Sequence, residues 1–159
     1  MLNKSKAHIY GNWAIGFFNY GLSWLREQIY KITKAEYVRS RYGVLLKSNW
    51  QDITFRMAYY ALYQFHLSRF LTKINTPFIF LDIGANQGIF SLAAGENLHC
   101  KKVLAFEPVS DIYNILKKNI AINKLEKTVI PHKVAISNKF GQGNHYDISA
   151  LRGYKYNSD

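Results

Sequence analysis

The sequence predicts an α/β fold with a largely parallel sheet, and three observations predict it. Phe78-Ile79-Phe80-Leu81-Asp82-Ile83 is nearly continuous in apolar residues, as a strand buried on both faces of a parallel sheet is, and it ends at the bend Gly84-Ala85-Asn86-Gln87-Gly88. Val103-Leu104-Ala105-Phe106 is a second such run and ends at Glu107-Pro108. The connections have helical spacing. Ile89, Phe90, Leu92 and Ala93 begin one helix, and Ile112, Ile115, Leu116 and Ile120 line one face of another as far as Asn123. Val129 to Ile136 supplies a third strand, interrupted by Pro131. The order is β-α-β-α-β, which places the strands parallel with right-handed crossovers.

This unit spans residues 77–159, and residues 1–76 read as an N-terminal extension. From Ile9 to Leu25 no residue is charged, with Lys4 and Lys6 before the run and Arg26 closing it. That outline raises a signal peptide or an anchor. Against both stand Asn12, Asn19, Ser23 and three glycines, and a length short of the roughly 20 strongly apolar residues of a span. No small-x-small cleavage site follows. Trp13, Phe17, Phe18, Tyr20 and Trp24 fit a helix packed on the domain, with peripheral membrane contact through residues 9–25 as the alternative. A cytoplasmic protein is expected, with or without that membrane contact.

Residues 37–48 read as two short β segments turning at Gly43. Asp52 then opens a helical stretch in which Phe55, Ala58, Tyr59, Leu62, Phe65 and Phe70 form one apolar stripe, ending near Pro77. His66 within it is expected as a satisfied structural histidine. Further on, Ser110 is expected to cap the second helix of the α/β unit, with Asp111 in its first turn where the helix dipole favours negative charge. Asp111 and Asn114 read as helix-start and surface residues, and His132 and His145 as ordinary polar ones.

The 159 residues, 48% hydrophobic and 19% charged, fit one globular domain with a small appendage and exclude wholesale disorder. The single cysteine, Cys100, excludes an intrachain disulfide framework and a thiolate-rich metal site, so no metal is expected. Cys100 itself reads as a half-buried thiol. A net charge of +11 draws the chain towards anionic partners. Its basic residues are scattered as singles and pairs (Lys4, Lys6, Arg39, Arg41, Lys101, Lys102), however, which describes a solvated surface rather than a nucleic-acid site.

Ligands of open α/β sheets lie beyond the carboxyl ends of the strands. There the chain carries the bend Asp82-x-Gly84-x-Asn86-x-Gly88 and, at the next strand end, Glu107. Glycines admit close backbone approach, and an acid so placed accepts from both hydroxyls of a ribose. A dinucleotide fingerprint needs glycine at its first, third and sixth positions; from Gly84 these hold Gly84, Asn86 and Ile89. Gly-x-x-x-x-Gly-Lys is absent as well. The spacing acid-x-Gly-x-x-x-Gly matches instead the first motif of S-adenosylmethionine-dependent methyltransferases, whose ligand carries an ammonium group and a sulfonium for which Asp82 is an electrostatic partner.

Phe80-Leu81-Asp82-Ile83-Gly84-Ala85-Asn86-Gln87-Gly88, then Ala105-Phe106-Glu107-Pro108, then Leu116-x-x-Asn119-x-x-x-Asn123, resembles the FkbM-type methyltransferases. Val134-Ala135-Ile136-Ser137 resembles the segment that follows in that family. The resemblance runs from about Gly43 to Gly141 and is sharp from 79 to 123. It implies a Rossmann-like class I methyltransferase fold that uses S-adenosyl-L-methionine, usually to methylate a hydroxyl of a sugar, glycan or small metabolite. By motif position, Asp82, Gly84, Asn86 and Gly88 would cradle the methionine part and Glu107 the ribose, with Val109 packing on the adenine and Ala85 and Pro108 completing the cofactor-binding set.

Members of that family carry further strands, including a later acidic segment near the acceptor side, whereas this chain stops at Asp159. The expectation is therefore the N-terminal half of the sheet only, behind a helical and β-hairpin extension, in a truncated or split enzyme with no assignable catalytic base. The first strand would keep an exposed apolar edge for the N-terminal helices, the tail 141–159 or a second chain to cover. Two other classes stand beside this: a non-catalytic module that only binds cofactor or a partner, and a basic RNA-binding protein.

Overall fold

In the computed structural model the described residues are 21–62, 64–138 and 141. Most of the aromatic run 9–25, the tail and His145 lie outside them. A helix over residues 21–33, α1, exposes Leu22, Trp24 and Leu25 while burying Ser23 and Glu27. No described helix is long and apolar enough to cross a membrane.

The expected hairpin follows. β1 (Tyr37–Arg39) pairs antiparallel with β2 (Leu45–Lys47), Val38 opposite Leu46. Gly43 makes the turn at φ +90°, in the left-handed region that a side chain disfavours. Val38, Val44 and Leu46 turn inward and are almost fully buried. Next, Asp52 caps α2 (Ile53–Tyr59), its Oδ1 accepting from the N–H groups of Thr54 at 2.6 Å and Phe55 at 3.2 Å. A cap of this kind contributes about 1 kcal/mol.

The single stripe expected from Asp52 to Pro77 is broken into two helices. α2 closes with Ala61 N–H on Ala58 O and Leu62 N–H on Met57 O, and Ala61 stands left-handed at φ +53°. That closure normally recruits glycine just past the helix, which is why alanine there hides it from the sequence. Gln64, also left-handed at φ +47°, then starts α3 (Phe65–Lys73). The break turns Leu62, Phe65 and Phe70 out to solvent. His66 is likewise exposed.

β3 (Phe78–Ile83), β4 (Cys100–Phe106) and β5 (Val129–His132) form a parallel sheet in the order β3-β4-β5, joined by α4 (Ile89–Gly95) and α5 (Ser110–Ile122). The α/β expectation holds, and two details change. β5 ends at His132, not Ile136, and accommodates Pro131 opposite Ala105, as a strand paired on one side only can. β3 is not buried on both faces: Ile79, Leu81 and Ile83 are 62%, 59% and 64% exposed. The physical reason is topological. Both crossovers step in the same direction, so their right-handedness puts α4 and α5 on one face. The core therefore sits on that face, where Leu92, Val103, Ala105, Leu116, Ile120 and Val129 pack, and it continues through the hairpin to Phe55 and Tyr59 of α2.

Ser110 is the first residue of α5 rather than its cap. Val109 holds the cap position without a side-chain bond. Asp111 and Asn114 are exposed, as a helix start and surface demand. Cys100 is buried and unpaired, and burial pushes its thiol up.

Candidate functional site

The bend after β3 is fastened to the end of β4. The N–H groups of Gly84 and Ala85 both donate to Phe106 O at 2.9 Å, and Gly88 N–H returns to Ala85 O at 2.9 Å. Gly84, Asn86 and Gly88 all take positive φ, at +77°, +51° and +91°. The two glycines differ in what their missing side chains permit. A Cβ on Gly84 would meet nothing within 4 Å, so the bend is open there; one on Gly88 would stand 2.4 Å from Leu116 Cδ1. Gly84 leaves room for a ligand, whereas Gly88 lets α5 close on the bend.

Glu107 follows directly on β4 and is 5% exposed. Its Oε2 accepts from Asn86 N–H at 2.9 Å and its Oε1 from Val109 N–H at 2.9 Å. One carboxylate thus holds the bend and the start of α5 together. Val109 is half-buried and Pro108 exposed beside it.

Asp82, near the end of β3, points to the helical face. Its Oδ2 accepts from Ser91 Oγ at 2.6 Å. Burial pushes this carboxyl above the usual range, opposed by the hydrogen bonds from Ser91 and reinforced by the charge of Glu107. The two acids of the candidate site therefore sense each other.

A further set of residues, not assigned to the site from sequence, supports the bend from outside. Gln87 is buried; its Nε2 donates to Asp52 Oδ2 at 3.1 Å, and its carbonyl accepts from Asn119 Nδ2 at 2.8 Å. Asn119, wholly buried, also accepts from Lys47 N–H at 2.7 Å, and Asn123 exchanges two bonds of 2.8 Å with Leu45. The extension is thereby tied to the bend through both α2 and the hairpin. Asn119 on α5 and Asn123, its C-cap, stand four apart, and that spacing was the available signal. Gln87 gave none, and its Oε1 is buried without a partner among the described residues.

Beside the bend lies a cavity of about 690 Å³. One wall is β3 and the bend, from Leu81 through Gln87, with Ile89 and Phe90; the other is the extension, with Tyr42, Thr54, Met57, Ala58, Gln64 and Leu67. Of the residues singled out from sequence, Asp82, Gly84, Ala85 and Asn86 line it, whereas Gly88, Glu107, Pro108 and Val109 do not. The structure so divides them into a cavity side and a Glu107 side, with Asn86 common to both. Among the described residues no group of acids, histidines and cysteine could hold a metal ion.

No protein-family model matches the chain. The chain is 35% identical over 80 residues to methyltransferase sdnD of Sordaria araneosa, a match covering 43% of this chain and 30% of that protein's length. Among solved structures, a transferase from Pyrococcus horikoshii superposes with TM-score 0.51 at 22% identity, over 62% of this chain and 36% of its own. A looser overlap, TM-score 0.47 at 27% identity, covers 58% of this chain and 40% of M. jannaschii TYW2 in complex with AdoMet. Among the described residues the fold is a Rossmann-like α/β unit with a three-stranded parallel sheet, the fold it shares with the Pyrococcus horikoshii transferase.

Proposed function

We propose that the chain binds S-adenosyl-L-methionine and belongs to a methyltransferase of FkbM type, acting on a hydroxyl of a sugar, glycan or small metabolite. Residues 77–159 form the cofactor-binding unit in this reading, and residues 1–76 an extension that braces it. The partial match to a methyltransferase supports the activity, and the matched stretch spans 30% of that relative. The observation that carries the reading is the position of Glu107. A carboxylate has about four lone-pair directions. Two are taken by Asn86 and Val109 N–H, which fixes the group and leaves the remainder for the adjacent hydroxyls of a ribose.

The residues present fit that ligand. Gly84 offers open backbone where the methionine part would pass, flanked by Ala85 and Asn86. Asp82 supplies negative charge for an ammonium group. Gly88 acts by letting α5 approach, and Val109 with Pro108 borders the place for an adenine. S-adenosylmethionine, when bound, supplies a methyl group on a positively charged sulfur that becomes neutral on transfer. The chain's contribution is to position donor and acceptor.

The test is to incubate the full chain with methyl-labelled S-adenosylmethionine and a panel of hydroxyl compounds, alongside equilibrium binding of the cofactor. Label in an acceptor hydroxyl supports the enzyme. Binding without transfer favours a non-catalytic module, and no binding rejects both.

A further inference from the structure

We infer that the cavity between the extension and the bend holds the methyl acceptor, and that this acceptor is a largely apolar small molecule, uncharged or cationic. The inference rests on the cofactor reading above and narrows it. The cavity shares the wall Asp82 to Asn86 with the proposed cofactor site but excludes Glu107, so it adjoins the donor without being the ribose side. Its volume, about 690 Å³, includes the space along Asp82 to Asn86 for the methionine end of the donor, and what remains suits a metabolite of modest size. Its walls are mainly apolar: Tyr42, Met57, Leu67, Leu81, Ile83 and Phe90.

Charge decides the class. The chain carries a net +11, yet among the described residues no Lys or Arg lines this cavity, and the one charged side chain among them is Asp82. A phosphate or carboxylate moved into it would lose hydration and gain no cationic side chain among the described residues. A hydroxyl on an apolar frame loses little hydration and still meets Thr54, Gln64 and Asn86 as polar partners.

The probes are 2-naphthol, 1-naphthyl phosphate and maltose, titrated calorimetrically into the full chain saturated with S-adenosylhomocysteine. Naphthol is expected to bind about tenfold or more tightly than either of the others. The bulk positive charge would favour the phosphate, so this order cannot arise from non-specific attraction. Leu81→Lys, at an exposed position on the cavity wall, is expected to weaken naphthol about fivefold or more and leave S-adenosylhomocysteine affinity within about twofold. Tighter binding of the phosphate or of maltose overturns the inference. So does naphthol binding that is absent or unmoved by Leu81→Lys while S-adenosylhomocysteine still binds. Absence of S-adenosylhomocysteine binding to the unaltered chain overturns the cofactor reading itself.

Discussion

Glu107 accepts the backbone N–H of Asn86 at 2.9 Å, joining the end of β4 to the bend after β3. Because the same carboxylate also holds Val109 N–H, its two oxygens face two donors, and no neutral isostere can serve both. Glu107→Gln must turn its amide NH₂ towards one of those N–H groups. The expected loss of stability is about 1–3 kcal/mol, read from urea unfolding.

The two glycines of the bend should respond differently to the same added methyl. Gly88→Ala combines φ +91° with a Cβ 2.4 Å from Leu116 Cδ1, so about 2–4 kcal/mol of destabilisation is expected. Gly84→Ala carries only the backbone cost of φ +77° in open space, about 1 kcal/mol. Adding Leu116→Ala should recover part of the first loss relative to additivity and none of the second, in a double-mutant cycle.

Asn119 is a brace rather than a ligand group. Asn119→Leu leaves Gln87 O and Lys47 N–H without their partner in the interior. A loss of about 2–4 kcal/mol is expected by chemical denaturation, with faster amide exchange at Lys47 as its local signature.

Asp82 makes stability depend on pH with a definite sign. Burial raises its carboxyl in the folded chain, so the folded state holds the proton more tightly than the unfolded state does. Stability attributable to this group is greatest below the ordinary carboxylate value, near 3.9, and falls as pH rises through the raised folded value. Asp82→Asn, which keeps an acceptor for Ser91, is expected to raise the denaturation midpoint at pH 7 relative to wild type. The advantage should disappear below about pH 4. A constant offset across that range would contradict the assignment.

What the sequence revealed and concealed follows one physical line. The hairpin at Gly43, the bend and the alternation of strands and helices were legible because glycine and apolar runs act locally. The end of α2 was not, because alanine at Ala61 does the work usually given to glycine. The exposure of Ile79, Leu81 and Ile83 was hidden for another reason: an apolar run marks a strand but not which of its faces has a neighbour. Likewise Ser110 was a sound cap by residue type, yet the helix begins one residue earlier than that reading, with Val109 at the cap position and held by Glu107. Gln87 and Asp52 meet only through the folded chain, so their pairing left no trace in spacing.

The central claim is that Glu107 holds the ribose of an adenosine-type methyl donor at the bend. Calorimetric titration of S-adenosylhomocysteine into wild type and Glu107→Ala tests it most directly, with circular dichroism confirming that the variant folds. Saturable binding by wild type, weakened about thirtyfold or more in the variant (about 2 kcal/mol), is the expected result. Equal affinity in the two chains, or no binding by wild type, would contradict it.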